Sequence, residues 1–496
     1  MAKTYNVGIV GYGFSAKIFH IPFVTEVPEL KLYAVVQRTP KQDDDAEKDH
    51  PGVKSYRSAE EMVQDPAVDV VIITTAPDSH FALSKLALEA GKHVVCEKPF
   101  TPTSKEADEL VALAKKNNKQ LAVYQNRRFD ADYVTLSKLV KNGSFGRISE
   151  FETHFDRHRP EEPANSTSWK NKVIPGGSAI YDLGTHLLDQ VVHLLGLPAR
   201  VTAFIGSARE HNTTSYEDSF TVLLHYANGS MVTAKATVVS PEEEQLRFWV
   251  RGTQGSFKKY HLDIQEDQLK AGIKPQDKGY GREPSERYGT LTTIKDGNPV
   301  KEVVPTVEPP TYTEYYRKLV RALGGEGDLP ASGAEAAQVI RLIELARESS
   351  SVGRPGTLFI PPATNRLARI TQQAAKTAAR AADPDHICVS VRCVGCAMAA
   401  ESVRARLVVE LGGHGVVQAS AGECVFFRVG EDDGAVHSEP RSHGDRVFVN
   451  VVPGHEADLR ALMAKWGMEY PRAWCVGLPL VIGEGEECLR DVGGEI

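Results

Sequence analysis

The sequence predicts an α/β protein: an N-terminal doubly wound parallel sheet of the Rossmann dinucleotide-binding kind, then a second α/β domain with an open, mostly antiparallel sheet. Three observations predict it. A short apolar run at residues 6–10 ends in Gly11-Tyr12-Gly13-Phe14-Ser15-Ala16, which reads as a tight turn opening a helix. Residues 68–74, VDVVIIT, are almost unbroken apolar, as a parallel strand buried on both faces requires. Strand-like and helix-like segments then alternate as far as residue 124.

In chain order, residues 30–36 read as the second strand. Residues 56–65 read as a polar helix, with Ser58 as its cap and Glu61 three positions on. Residues 81–90 form a helix stopped by Gly91, 93–96 a strand, 104–115 a helix and 121–124 another strand. The pattern changes after about residue 145. Residues 148–155, 201–205, 219–226, 231–238, 246–250 and 257–261 are strand-like, and several alternate in polarity, as in a sheet with one wet face. Helices are expected at 180–195, 312–323 and 333–347. The expected domains are therefore 1–125 (dinucleotide binding), 126–354 (substrate binding and catalysis) and an unassigned C-terminal extension, 355–496.

The extension differs in composition. Only Lys376 and Lys465 remain as lysines there, among text rich in Gly, Ala and Val. It reads either as an appended domain of unknown type, with strand-like pieces at 405–409 and 446–452, or as a gene-model artefact. Six of the seven cysteines lie in it, including Cys393-Val394-Gly395-Cys396. One CxxC without a second pair falls short of the four ligands of a structural zinc site, so no metal is expected.

The chain has 496 residues, a formal net charge of −7 and 41% hydrophobic residues. Mild acidity argues against nucleic acid as a partner. No apolar run reaches the length of a membrane span, and no secretory leader opens the sequence, so a cytoplasmic protein is expected.

The glycine turn supplies the cofactor site. Gly11 makes the bend, Gly13 lets a pyrophosphate approach the backbone, and Ala16 permits close helix–sheet packing, while the helix N-terminus offers unpaired N–H groups. The second strand ends in Gln37-Arg38-Thr39, with no carboxylate to hold a ribose 2′-hydroxyl. Arg38 can pair with a 2′-phosphate and Thr39 can bond to it, which favours NADP(H) over NAD(H). The bland alternative for Arg38 is a solvated surface arginine. Glu97-Lys98-Pro99 follows a buried strand, where open α/β sheets place ligands. A lysine there can bond a reacting hydroxyl or serve as an acid–base group. Asp182 and His186 stand four apart on one face of an expected helix, a spacing that suits a proton relay or merely a polar helix face.

Together these motifs resemble the Gfo/Idh/MocA oxidoreductase family, and within it NADP-dependent scyllo-inositol dehydrogenases and their fungal relatives. The resemblance rests on the opening glycine turn, Thr75-Ala76-Pro77-Asp78-Ser79-His80, Glu97-Lys98-Pro99-Phe100 and Gln125-Asn126-Arg127-Arg128-Phe129-Asp130. It rests also on His154-Phe155-Asp156-Arg157-His158-Arg159-Pro160 and Tyr181-Asp182-Leu183-Gly184-Thr185-His186. It implies that Lys98, Asp182 and His186 are the catalytic set. It implies a cofactor crevice formed by Gly11, Gly13, Phe14, Ser15, Ala16, Arg38, Thr39, Thr75, Pro77, His80, Glu97 and Lys98. Substrate contacts are expected from Asn126, Arg128, Asp156, Arg157, Trp169 and Tyr181. The implied reaction is hydride transfer to or from a secondary alcohol or ketone carbon of a sugar or polyol, in a homo-oligomer. Two other readings stay open: a non-catalytic dinucleotide-binding regulator on the same scaffold, and an NAD-dependent dehydrogenase of another small metabolite.

Overall fold

Apolar β-branched runs bounded by glycine and polar turns fold into a six-stranded parallel sheet. Its strands are β1 (Tyr5–Val10), β2 (Leu30–Val36), β3 (Lys54–Tyr56), β4 (Val70–Ile73), β5 (His93–Cys96) and β6 (Leu121–Val123), in the order β3-β2-β1-β4-β5-β6. The computed structural model describes residues 3–161, 173–210, 216–309 and 311–352, the pair Gly356–Thr357, and the backbone of seven short strands between residues 387 and 483. Every residue of β4 is buried, as its unbroken apolar text requires. The chain direction of strand addition reverses between β1 and β4, so the crevice at their C-terminal ends is the ligand position of such a sheet.

The helices of this half are α1 (Ile21–Val24), α2 (Ala46–Asp49), α3 (Ala59–Gln64), α4 (His80–Glu89) and α5 (Ser104–Lys116). Ser58 caps α3 as expected, its hydroxyl accepting from Glu61 N at 3.2 Å. The expected helix over 56–65 starts later than its polarity indicates, because Lys54–Tyr56 pairs with β2 as an edge strand. Such a three-residue polar strand carries no periodicity to read.

The second sheet has nine strands: β7 (Ile148–His154), β8 (Arg200–Gly206), β9 (Ser219–His225), β10 (Met231–Ala236), β11 (Leu246–Gly252), β12 (Gly255–Tyr260), β13 (Gly289–Lys295), β14 (Asn298–Val304) and β15 (Gly356–Thr357). Their order is β14-β13-β12-β11-β7-β10-β9-β8-β15. Only the β7–β10 pair is parallel. The β13–β14 hairpin lies outside the strands expected from sequence. Its signal is Asp296-Gly297, where both residues take positive φ, as a two-residue hairpin turn demands. The helices α6 (Ala131–Lys141), α7 (Thr185–Leu195), α8 (Gln265–Lys270), α9 (Thr313–Leu323) and α10 (Gly333–Val352) complete this part.

The core knits the two halves together. One cluster joins Leu88, Leu110 and Val123 to Phe151, Val222, Phe248 and Ile340. The other lies on the opposite face of the parallel sheet, where Tyr312, Tyr315 and Tyr316 of the α9 region pack fully buried against Ile9, Phe23 and Tyr124. Tyr315 Oη donates to Val123 O at 2.9 Å, and Val123 N donates to Ala331 O at 3.0 Å. Late sequence therefore completes the first sheet.

The chain divides into two compact units, Met1–Phe359 and Ile360–Ile496. The second holds a three-stranded sheet of β16 (Ile387–Arg392), β17 (Arg406–Leu411) and β18 (Val416–Ala419), and a four-stranded sheet of β19 (Phe426–Val429), β20 (Val436–His437), β21 (Arg446–Asn450) and β22 (Leu480–Gly483). Cys393 and Cys396 lie outside the described residues.

Candidate active site

Three loops at the C-terminal ends of β1, β4 and β5 meet at the crevice. Gly11 has φ +102°, and a Cβ there would stand 2.9 Å from Thr74 Oγ1. Only glycine suits both demands. A Cβ on Gly13 would meet nothing within 4 Å, so that side of the turn is open. The helix beginning at residue 14 passes through a π-helical turn, Ala16–His20, into α1. Its first N–H groups face the open turn, and Ala16 is fully buried under it. The residues present thus fit a bound pyrophosphate. Phe14 is exposed at the rim.

At the end of β2, Gln37 is buried and turned inward. Its amide donates to Asp44 O at 2.7 Å and accepts from Ala46 N at 2.9 Å. This fixes the loop that leaves Arg38 exposed and Thr39 beside it. Arg57, which sequence reasoning missed, sits close by, donating to Ser55 Oγ at 2.5 Å and to Gln37 O at 3.4 Å.

Thr75 Oγ1 is 2.6 Å from Ser79 Oγ, and Pro77 is buried beside it. His80 and Glu97 are both held by contacts within the protein. His80 is fully buried; Nδ1 lies 2.8 Å from Pro99 O and Nε2 3.1 Å from Thr75 O. It ties the Thr75 loop to the Lys98 loop. Both Glu97 oxygens are engaged by the protein. Oε1 accepts from the Ser15 hydroxyl and lies 3.0 Å from His20 Nε2, and Oε2 accepts from Lys98 N at 2.9 Å. His20 Nδ1 is in turn 2.5 Å from Tyr316 Oη. Burial pushes the Glu97 carboxyl up, but the His20 contact, the Ser15 hydroxyl and the Lys98 charge outweigh it and hold it down at about 2. A buried ionised carboxylate therefore braces the glycine-turn helix against the lysine loop. Its partner His20 stands 77 residues away, beyond the reach of local pattern reading.

Lys98 crosses from β5 to the second sheet's domain. Its Nζ donates to Asp182 Oδ1 at 2.7 Å and to Asp182 O at 2.9 Å, with both side chains nearly buried. Asp182 sits in a π-helical turn, Ile180–Gly184, that leads directly into α7 and His186. His186 is buried and meets Phe155 edge-on, centroids 6.2 Å apart. The structure thus brings Lys98, Asp182 and His186 into one neighbourhood from two distant segments.

The expected substrate contacts divide. Arg128 turns away from the crevice into a buried bidentate pair with Asp189 (2.8 and 2.7 Å), with Pro330 O and Glu335 at 3.2 Å. Asp156 accepts from Thr237 N at 2.9 Å and lies 2.9 Å from His154 Nδ1, so it anchors the end of β7. Tyr181 is buried and donates to Pro102 O at 2.9 Å. Asn126 is buried in a short turn. Arg157 lies over the Phe155 ring, 4.7 Å from its centroid. Trp169 lies outside the described residues.

Two neighbours escaped the sequence reading. Arg127 shares the Phe155 ring at 4.6 Å. Tyr216 precedes Glu217, whose carbonyl accepts from Ala179 N at 2.8 Å, three residues before Asp182. Burial, then the nearby Asp182 carboxylate, pushes the Tyr216 hydroxyl well above its ordinary value. No metal-binding cluster of His, Cys, Asp or Glu occurs among the described residues.

Comparison with known proteins gives a consistent picture. Residues 5–125 match the oxidoreductase family's NAD-binding Rossmann fold, and residues 137–358 its C-terminal alpha/beta domain. The scyllo-inositol 2-dehydrogenase (NADP(+)) IolW of Bacillus subtilis is 36% identical over 352 residues, 71% of this chain and 95% of that protein. The uncharacterized oxidoreductase C115.03 of Schizosaccharomyces pombe is 37% identical over 359 residues, 70% of this chain and 97% of that protein. Among solved structures, yvaA of Bacillus subtilis aligns with a TM-score of 0.68 at 35% identity, covering 72% of this chain and 99% of its own. These matches, on a parallel dinucleotide-type sheet joined to a mixed nine-stranded one, show that the chain belongs to the Gfo/Idh/MocA family of oxidoreductases.

Proposed function

We propose that the chain is an NADP(H)-dependent oxidoreductase acting on a secondary alcohol or ketone carbon of an inositol-like polyol or sugar. The observation that carries this reading is the 2.7 Å pair between Lys98, just beyond the end of β5, and Asp182, one helical turn before His186. When bound, the nicotinamide supplies the hydride acceptor or donor. Lys98 donates to the substrate oxygen and stabilises the charge that develops on it as its proton leaves. His186 takes or returns that proton. Asp182 orients Lys98 by accepting from its Nζ. Arg38, with Thr39 and Arg57 near it, supports a 2′-phosphate, and the NADP-dependent relative IolW agrees with that preference.

The test is turnover with NADP and NAD in parallel across inositols, aldoses and their keto forms. Turnover with a polyol and NADP is expected. Arg38→Ala is expected to weaken NADP binding about tenfold and leave NAD binding unchanged, the scale of one charge-assisted pair. Tight NADP binding with no turnover across the panel would favour a regulatory protein, and turnover with NAD alone would overturn the cofactor preference.

A further inference from the structure

The chain that leaves β7 stays pinned beyond the sheet. Phe155 N donates to Lys235 O at 3.0 Å, Arg157 N to Thr237 O at 2.9 Å, and Ser240 N to Arg157 O at 2.9 Å. The backbone of Arg157 is thus held through both its N–H and its carbonyl by residues 237–240, and its guanidinium folds over Phe155, the ring that abuts His186.

Arg127 shares that ring but differs in its surroundings. It is neutralised by Asp130 at 3.1 Å and by Glu266. Arg157 makes no side-chain hydrogen bond and no ion pair among the described residues. The two carboxylates that bear on it are already committed: Glu266 to Arg127 and Lys270, Asp182 to Lys98. Arg159 adds a further positive charge nearby. Among the described residues this half-buried guanidinium has no acceptor of its own, and its carboxylate neighbours are spent, an arrangement that an anion would complete. Burial lowers its proton affinity in agreement with this, while the charge remains at any physiological pH.

We propose that Arg157 binds an anionic substituent of the substrate, so that the site prefers an acidic polyol or sugar, bearing a carboxylate or a phosphate ester, over its neutral counterpart. The proposal rests on the oxidoreductase reading above and narrows its substrate class. It assigns Arg157 to specificity and leaves proton transfer to His186 and Lys98.

The experiment is calorimetric binding to the full-length, NADP-loaded protein, using three probes that share one ring: D-glucose, D-glucuronate and D-glucose 6-phosphate. One of the two anions is expected to bind about tenfold or more tightly than glucose, and which one does so identifies the group. Arg157→Gln is expected to erase that ratio with NADP affinity unchanged, and Arg157→Lys to keep part of it. Equal affinity for all three probes in the wild type, no binding of any of them, or a ratio that survives in Arg157→Gln, overturns the proposal. Failure of the oxidoreductase reading shows differently: an Arg157-dependent anion preference with no change in NADPH absorbance for any bound probe.

Discussion

Glu97 ties the two sides of the crevice together. Its two oxygens gather Ser15, His20 and the backbone of Lys98, three groups from both sides of the crevice. Its folded value of about 2 lies below the 4.5 of the free side chain. A depressed carboxylate stabilises the fold fully above its unfolded value and loses that contribution as pH falls through its folded one. Glu97→Gln is therefore expected to lower stability at neutral pH and to flatten the loss of stability between pH 4.5 and 2, read from denaturant midpoints across that range. An acid limb as steep as the wild type's would show that Glu97 carries no such linkage. At this scale the sequence is legible where chemistry and spacing are local. Asp182 and His186, four apart, and Lys98, at the end of an apolar strand, can be singled out from text alone. The partner of a buried charge cannot: Arg128 is drawn away to Asp189, 61 residues on, and Asp156 to the backbone of Thr237.

Elements are joined by a second buried cation. Arg247 on β11 is 1% exposed. It donates to Asp132 of α6 at 2.9 Å, to Thr153 Oγ1 and His154 O of β7 at 3.2 Å, and to Gln190 Oε1 of α7 at 2.7 Å. Removing it leaves the buried Asp132 carboxylate without its charged partner, with only Tyr133 N still donating to it among the described residues. Arg247→Met is expected to cost about 3–5 kcal/mol, read as a fall in the denaturant midpoint; a loss below about 1 kcal/mol would mean that Asp132 finds other partners. The elements most legible in sequence are those with long apolar runs or strong caps, such as β4 and the Ser58-capped α3. α6 is hidden in the sequence: its length holds Asp132, Tyr133 and Thr135 at buried positions, so packing and ion pairing hold it where its polarity pattern does not advertise a helix. The β13–β14 hairpin did advertise itself through Asp296-Gly297, but most of its residues are only partly buried or exposed, so no apolar alternation supported the turn.

For the whole molecule, the family match ends at residue 358 and the first compact unit at Phe359, after Thr357 has added β15 to the edge of β8. A chain ended at residue 359 is expected to keep the melting temperature of the first unit and NADP binding within about twofold, whereas loss of either would make Ile360–Ile496 part of the working fold. The acid–base site we propose joins Lys98, just beyond the end of β5, to Asp182 in the Ile180–Gly184 turn and His186 at the start of α7. Its most direct test is Lys98→Met, with NADP affinity and single-turnover reduction of NADP measured on the same sample with a polyol that the wild type oxidises. NADP affinity is expected to stay within a few-fold of wild type, and the turnover rate to fall by about 10²–10³, the usual loss when one charge-stabilising donor is removed. Wild-type turnover in Lys98→Met would show that the lysine takes no part in the chemistry.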